Sequence, residues 1–190
     1  MRILRSYLVV TTLLMAGVPP VSSPAQESIV KPRSTDRQVS FRTEDGWTIH
    51  GTYTVPAAYK EGERLPAALL LHSSVHTQMV WAVYPGLVRI QESIVTLRID
   101  WRGRGKSRGP VAFEDFTEAE REAVALDVRA ALDFLASQKE VDAARLGIAA
   151  EEFSTGPAVT GGASDRRVRA LLLISGDLDE KAIKTLSNNP

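Results

Sequence analysis

From Gln38 the apolar positions alternate with polar ones. Val39, Phe41 and Thr43 lead to a turn at Glu44-Asp45-Gly46, and Trp47, Ile49, Gly51, Tyr53 and Val55 follow. A period of two is the signature of a strand, and Asp-Gly between two such stretches predicts a hairpin. Pro56 ends this pattern, and Ala57 to Arg64 reads as a charged loop. Downstream the alternation gives way to four short runs: Ala67 to Leu71, Ile94 to Ile99, Leu146 to Ala150 and Val168 to Ile174. Each is near-continuously apolar, as strands buried on both faces require. Helix-length segments separate them. Thr117-Glu118-Ala119-Glu120 is a capping box, and Val124, Val128, Ala131 and Leu135 follow at helical spacing. A further helix is expected from Asp179 through Leu186. The pattern predicts an α/β protein: three layers around a mostly parallel sheet, with an N-terminal antiparallel hairpin and right-handed crossovers.

Composition narrows the picture. The 190 residues suit one domain, and an apolar content of 44% is enough for a core. Charge is balanced, 23 basic against 23 acidic, which excludes the footprint of a nucleic-acid-binding protein. Arg102, Arg104, Lys106 and Arg108 cluster locally, but alternating with Gly and Ser they read as a solvated loop. At the N-terminus, Arg2 and Arg5 precede an apolar run from Tyr7 to Val18, and Ser23-Pro24-Ala25 offers small residues at a cleavage site. That is the grammar of a secretory signal peptide over residues 1–25, so export to the periplasm or medium is expected. The run is short for a membrane span, and no stable span is expected after cleavage. Residues 26–37 are polar, contain Pro32 and read as a flexible leader; the domain occupies 38–190. Without cysteine, an exported product must be stable through its core alone.

Chemistry-bearing residues gather where the buried runs end. Leu69-Leu70-Leu71-His72-Ser73-Ser74 closes the first run, and ligands in such sheets collect at the carboxyl ends of strands. Asp100-Trp101-Arg102-Gly103-Arg104-Gly105-Lys106-Ser107 closes the second. Its Gly105-Lys106-Ser107 mimics the tail of a phosphate-binding loop, but that loop needs glycine where Asp100 stands and a helix where Gly109-Pro110 follows. No metal-ligand spacing and no dinucleotide fingerprint occurs, so no cofactor is expected.

In order, the Asp45-Gly46 hairpin, Leu-Leu-Leu-His72, Asp100-x-Arg-Gly-x-Gly-x-Ser107, Arg145-Leu146-Gly147-Ile148 and Arg167-Val168-Arg169-Ala170-Leu171 resemble the α/β-hydrolase superfamily, near its dienelactone-hydrolase-like and serine-aminopeptidase-like branch. The resemblance covers residues 38 to 176. It implies an eight-stranded sheet, of which this chain lacks the last two strands. It also implies a Ser-His-acid triad in the order nucleophile, acid, histidine, and hydrolysis of esters, amides or peptides. The implied oxyanion donors are the backbone N–H groups of Ser74 and Phe153.

This sequence departs from that pattern at the nucleophile. Counting from Gly147 or back from Val168 puts Glu152 in the serine slot. A competing register puts Ser154 there with Gly156 as the last glycine of the turn. The three histidines, His50, His72 and His76, all precede this turn, so no base follows it. Trp81, Tyr84, Trp101 and Phe113 are candidates to line a pocket. Three readings stay open: a hydrolase using Ser154 or, unconventionally, Glu152 on a small-molecule or peptide substrate; a pseudo-hydrolase kept as a binding module; and a truncated product without independent function.

Overall fold

The computed structural model describes residues 34–83 and 92–188. The expected signal peptide, most of the expected leader and Tyr84 lie outside these residues. Six strands form one sheet: β1 (Thr35–Arg42), β2 (Thr48–Val55), β3 (Leu65–Leu71), β4 (Val95–Asp100), β5 (Val141–Glu151) and β6 (Val168–Ile174). Their spatial order is β1-β2-β4-β3-β5-β6. The β1–β2 and β2–β4 pairs are antiparallel, and β4–β3–β5–β6 is parallel throughout. The register of β3 on β5 shifts at Pro66, which has no N–H to give to the ladder.

Helices cover both faces. On one face, Leu69, Leu71, Leu97, Ile99, Ile148 and Ala150 meet α3 (Val124–Ala136) and the start of α4 (Thr155–Gly162) in the main core. The capping box at Thr117 forms as the sequence predicts and opens the short α2 (Glu118–Glu122) just before α3. All four stripe residues of α3 are buried. On the other face, Leu70 and Ala149 pack with Trp81 of α1 (Val80–Val83). Helix α5 (Glu180–Ser187) seats Ala182 against Val159 and Ala163, its N-terminus capped by the Asp179 side chain. The approach of α4 to α3 depends on Gly161, where a Cβ would stand 2.5 Å from the Ala125 carbonyl oxygen.

Three expectations change. Strand β1 begins at Thr35, inside the expected leader. Asp36 ties it down by accepting from Thr54 Oγ1 at 2.8 Å and Arg98 Nη2 at 3.0 Å. Strand β4 is buried along its whole length, yet its second face is polar: Thr96, Arg98 and Asp100 alternate with Val95, Leu97 and Ile99. Arg102 is not solvated. Its Nε and backbone N–H donate to Asp127 at 2.9 and 2.8 Å, and its Nη1 donates to Asp45 at 2.7 Å. This buried pair fastens the loop after β4 to the first turn of α3.

Candidate active site

Strand β3 is flanked by β4 on one side and β5 on the other, so successive connections leave it in opposite directions. The carboxyl end of the β3–β5 pair is therefore the topological switch point, where open α/β sheets form a crevice. Leu71 lies level with Ala150 across this pair, which brings His72-Ser73-Ser74 beside Glu151-Glu152.

At the end of β5 the chain turns sharply. Glu151 is still extended, Glu152 adopts φ 53°, a single 3-10 turn runs from Glu152 to Ser154, and α4 begins at Thr155. A left-handed conformation is uncommon for a residue with a Cβ and marks a backbone held by its surroundings. Two hydroxyls do the holding. Ser154 Oγ accepts from the Glu151 N–H at 3.0 Å, with the carbonyls of Glu151 (2.9 Å) and Leu71 (3.0 Å) as acceptors for its own proton. Thr155 Oγ1 donates to the Glu152 carbonyl at 2.7 Å. Glu152 thus stands at the apex of the turn. Ser154 lies beneath it, fully buried.

The Glu152 carboxylate reaches across the crevice. Its Oε2 accepts from the Ser74 backbone N–H and from Ser74 Oγ, both at 2.8 Å. These two bonds, the backbone one first, hold the Glu152 carboxyl below the usual range against a small opposing effect of burial, and the Phe153 N–H adds to them. Both backbone donors assigned from the sequence, at Ser74 and Phe153, therefore act on this carboxylate.

None of the three histidines contacts the Ser154 hydroxyl. His50 lies on β2, where its backbone N–H donates to Ser107 Oγ. His72 is fully buried, stacked on Trp101 with ring centroids 5.1 Å apart, and its Nδ1 meets the Ser73 carbonyl at 2.7 Å. Burial lowers its pKa to about 4, so the ring is neutral at physiological pH. Its Nε2 has no hydrogen-bond partner and sits 3.7 Å from Asp100 Oδ1. His76 is half-exposed, with Nδ1 2.7 Å from Ser73 Oγ and 3.9 Å from Glu151 Oε2.

Above the turn lies an open cleft of about 460 Å³, lined by Ser74, Phe113, Glu152 and Phe153. Of the three described aromatics considered for a pocket, Trp81, Trp101 and Phe113, only Phe113 lines this cleft. Trp101 is buried beneath it, in contact with His72, Phe113 and Phe153, and Trp81 is in the core on the far face. The cleft lining is acidic, with Glu118, Glu122, Glu152, Asp177 and Asp179 against Arg121 and Lys181. Both cations are engaged: Lys181 pairs with Glu122, and Arg121 lies over the Phe113 ring at 4.6 Å.

No protein-family model and no curated protein sequence matches the chain. Solved structures do. A hypothetical protein from Pseudomonas aeruginosa superposes with a TM-score of 0.64 at 23% identity, over 82% of this chain and 47% of its own. The α/β hydrolase GrgF from Penicillium gives 0.62 at 24% identity, over 75% and 46%. An acetyl xylan esterase from Paenibacillus gives 0.59 at 23% identity, over 77% and 50%. The fold is that of the α/β-hydrolases. At these identities the likeness is one of fold, and the chain spans half or less of the length of these three structures.

In an α/β-hydrolase fold, the turn after this strand carries the nucleophile, and the loop after β3 supplies an oxyanion donor. Here Glu152 stands at the turn after β5, and Ser74 lies in the loop after β3. Gln78 is a residue that sequence reasoning missed, and Asp100 was read only as part of the motif closing β4. The Asp100 carboxylate accepts from the Gln78 N–H at 2.8 Å, Gln78 Nε2 at 3.0 Å and the Lys106 N–H at 3.0 Å. It thereby braces the loops after β3 and β4 against each other. Its signal in the sequence was the Asp at the end of a buried run, followed by Gly105, whose φ is +49° and where a Cβ would strike that carboxylate.

Proposed function

We propose that this chain is an exported, catalytically silent binding module on an α/β-hydrolase fold. The carrying observation is the hydrogen bond from the Ser74 N–H to the Glu152 carboxylate. An oxyanion donor accelerates acyl transfer only if it is free to meet charge that develops on the substrate. Here a resident carboxylate already takes that donor, at the place where serine would stand. Ser154 offers no substitute nucleophile: its hydroxyl braces the turn from below and touches no base. Glu152 itself is held as a weakly basic anion by the Ser74 donors, which disfavours its use as an attacking group.

The cleft remains, and its acidic lining with both cations already engaged favours a small-molecule or peptide ligand that is neutral or positively charged. Export is supported by Arg2, Arg5, the Tyr7 to Val18 run and the Ser23-Pro24-Ala25 site. The test is exposure to a fluorophosphonate probe beside an active serine hydrolase, read by intact mass. No adduct is expected. An adduct on this chain that disappears in Ser154→Ala would overturn the proposal. For export, the N-terminus of protein recovered outside the cytoplasm is expected at Gln26.

A further inference from the structure

Helix α3 carries two apolar stripes. Val124, Val128, Ala131 and Leu135 form the buried one, turned into the main core. Leu126, Ala130 and Phe134 recur every four residues and so share a second face, and all three are only half-buried. Phe41 of β1 lies alongside, its ring stacked on Phe134 with centroids 5.1 Å apart and planes 22° from parallel. These four residues line the apolar part of a groove of about 310 Å³, at the lower end of the size range of small-molecule sites. The groove sits at the β1 end of the strand order, the far side of the sheet from β6.

The rest of the lining is charged, and its charges are unevenly engaged. Asp133 accepts from Arg167 Nη2 at 2.7 Å. Arg129 lies 3.9 Å from Glu44, with both side chains more than half exposed, a geometry worth little. Arg42 is exposed and makes no ion pair or side-chain hydrogen bond among the described residues. We propose that this groove binds a small aryl carboxylate, its ring on the Phe41–Phe134 pair and its carboxylate on Arg42. Stacking favours a flat ring over an alkyl chain on such a floor. The guanidinium fork matches a carboxylate with two parallel hydrogen bonds. Glu44 and Asp133 beside it disfavour a doubly charged group such as a phosphate. The acidic cleft at Glu152 would repel the same ligand, and the two sites share no residue. The inference therefore stands apart from the reading of the cleft.

The test is a titration of the isotope-labelled full chain with cinnamate and, separately, with its uncharged amide, followed by backbone amide chemical shifts. Saturable binding of cinnamate at millimolar concentration is expected, with shifts centred on Arg42, Ala130 and Phe134 and none at Ser74 or Phe153. Cinnamamide should bind at least about tenfold more weakly, because it loses the charge-assisted pair with Arg42. Arg42→Gln should weaken cinnamate by about the same factor and erase the preference for acid over amide. Ala130→Leu should weaken acid and amide alike by filling the floor, with an unchanged circular dichroism spectrum. No saturable binding at millimolar ligand, equal binding of acid and amide, a preference that survives Arg42→Gln, indifference to Ala130→Leu, or shifts centred on the cleft would each refute the assignment.

Discussion

Acidification from pH 7.5 to 4.5 should cost this fold a definite amount of stability through one side chain, His72. The unfolded chain takes up a proton there near pH 6.5, whereas burial keeps the folded ring neutral until about pH 4. Because the folded pKa is depressed, the fold has the full benefit of this group above about pH 6.5. It loses that benefit as pH falls toward 4. At 1.36 kcal/mol per unit, the whole gap corresponds to about 3 kcal/mol, most of which is lost by pH 4.5. The clean comparison is His72→Phe, which keeps an aromatic ring on Trp101 and removes the titration. Titrating groups remote from His72 are common to both proteins and cancel in the difference. Urea unfolding followed by circular dichroism at the two pH values should show wild type losing about 2–3 kcal/mol more than the variant, roughly 1–2 M in midpoint at ordinary urea slopes. Parallel losses, within about 0.5 kcal/mol given the extrapolation error, would sink the idea that burial holds this ring neutral.

Two further expectations concern the scaffold. Asp127→Ala should destabilise by about 3–5 kcal/mol in thermal or urea unfolding, because it strands Arg102 in the interior; Asp45→Ala should cost much less, since Asp45 is partly exposed. Gly161→Ala should cost about 1–3 kcal/mol through overpacking against the Ala125 carbonyl. Gly156→Ala in the same helix, where a Cβ meets nothing within 4 Å, should be neutral or stabilise by up to about 1 kcal/mol.

The fold was legible because its signals are local. Continuous apolar runs mark the parallel strands, Asp45-Gly46 marks the hairpin, and Thr117 with Glu120 marks a helix start. The site was legible only as a place. Ser154 and Glu152 are two residues apart, and spacing cannot tell a nucleophile from a hydroxyl that holds a turn together. What separates them is the φ of Glu152 and the position of the Leu71 carbonyl, which lies 83 residues away in sequence. The Ser74–Glu152 bond likewise spans 78 residues. Arg102 was misread because its neighbours are Gly, Ser and other cations. The missing signal lay on α3, where Asp127 interrupts the apolar stripe of Val124, Val128 and Ala131. A lone carboxylate on a core-facing stripe requires a buried cation, and Arg102 is that cation.

The turn at Glu152 has a consequence for engineering. A side chain in the left-handed region costs roughly 1–2 kcal/mol, and this backbone already bears that cost with a glutamate. Serine, cysteine or aspartate at the same position would ask the main chain for nothing new, and aspartate sits there more readily than most residues. The obstacle to installing a hydrolytic centre is therefore not geometry at the turn. It is the Ser74 N–H, which the Glu152 carboxylate holds at 2.8 Å and which a smaller side chain would release.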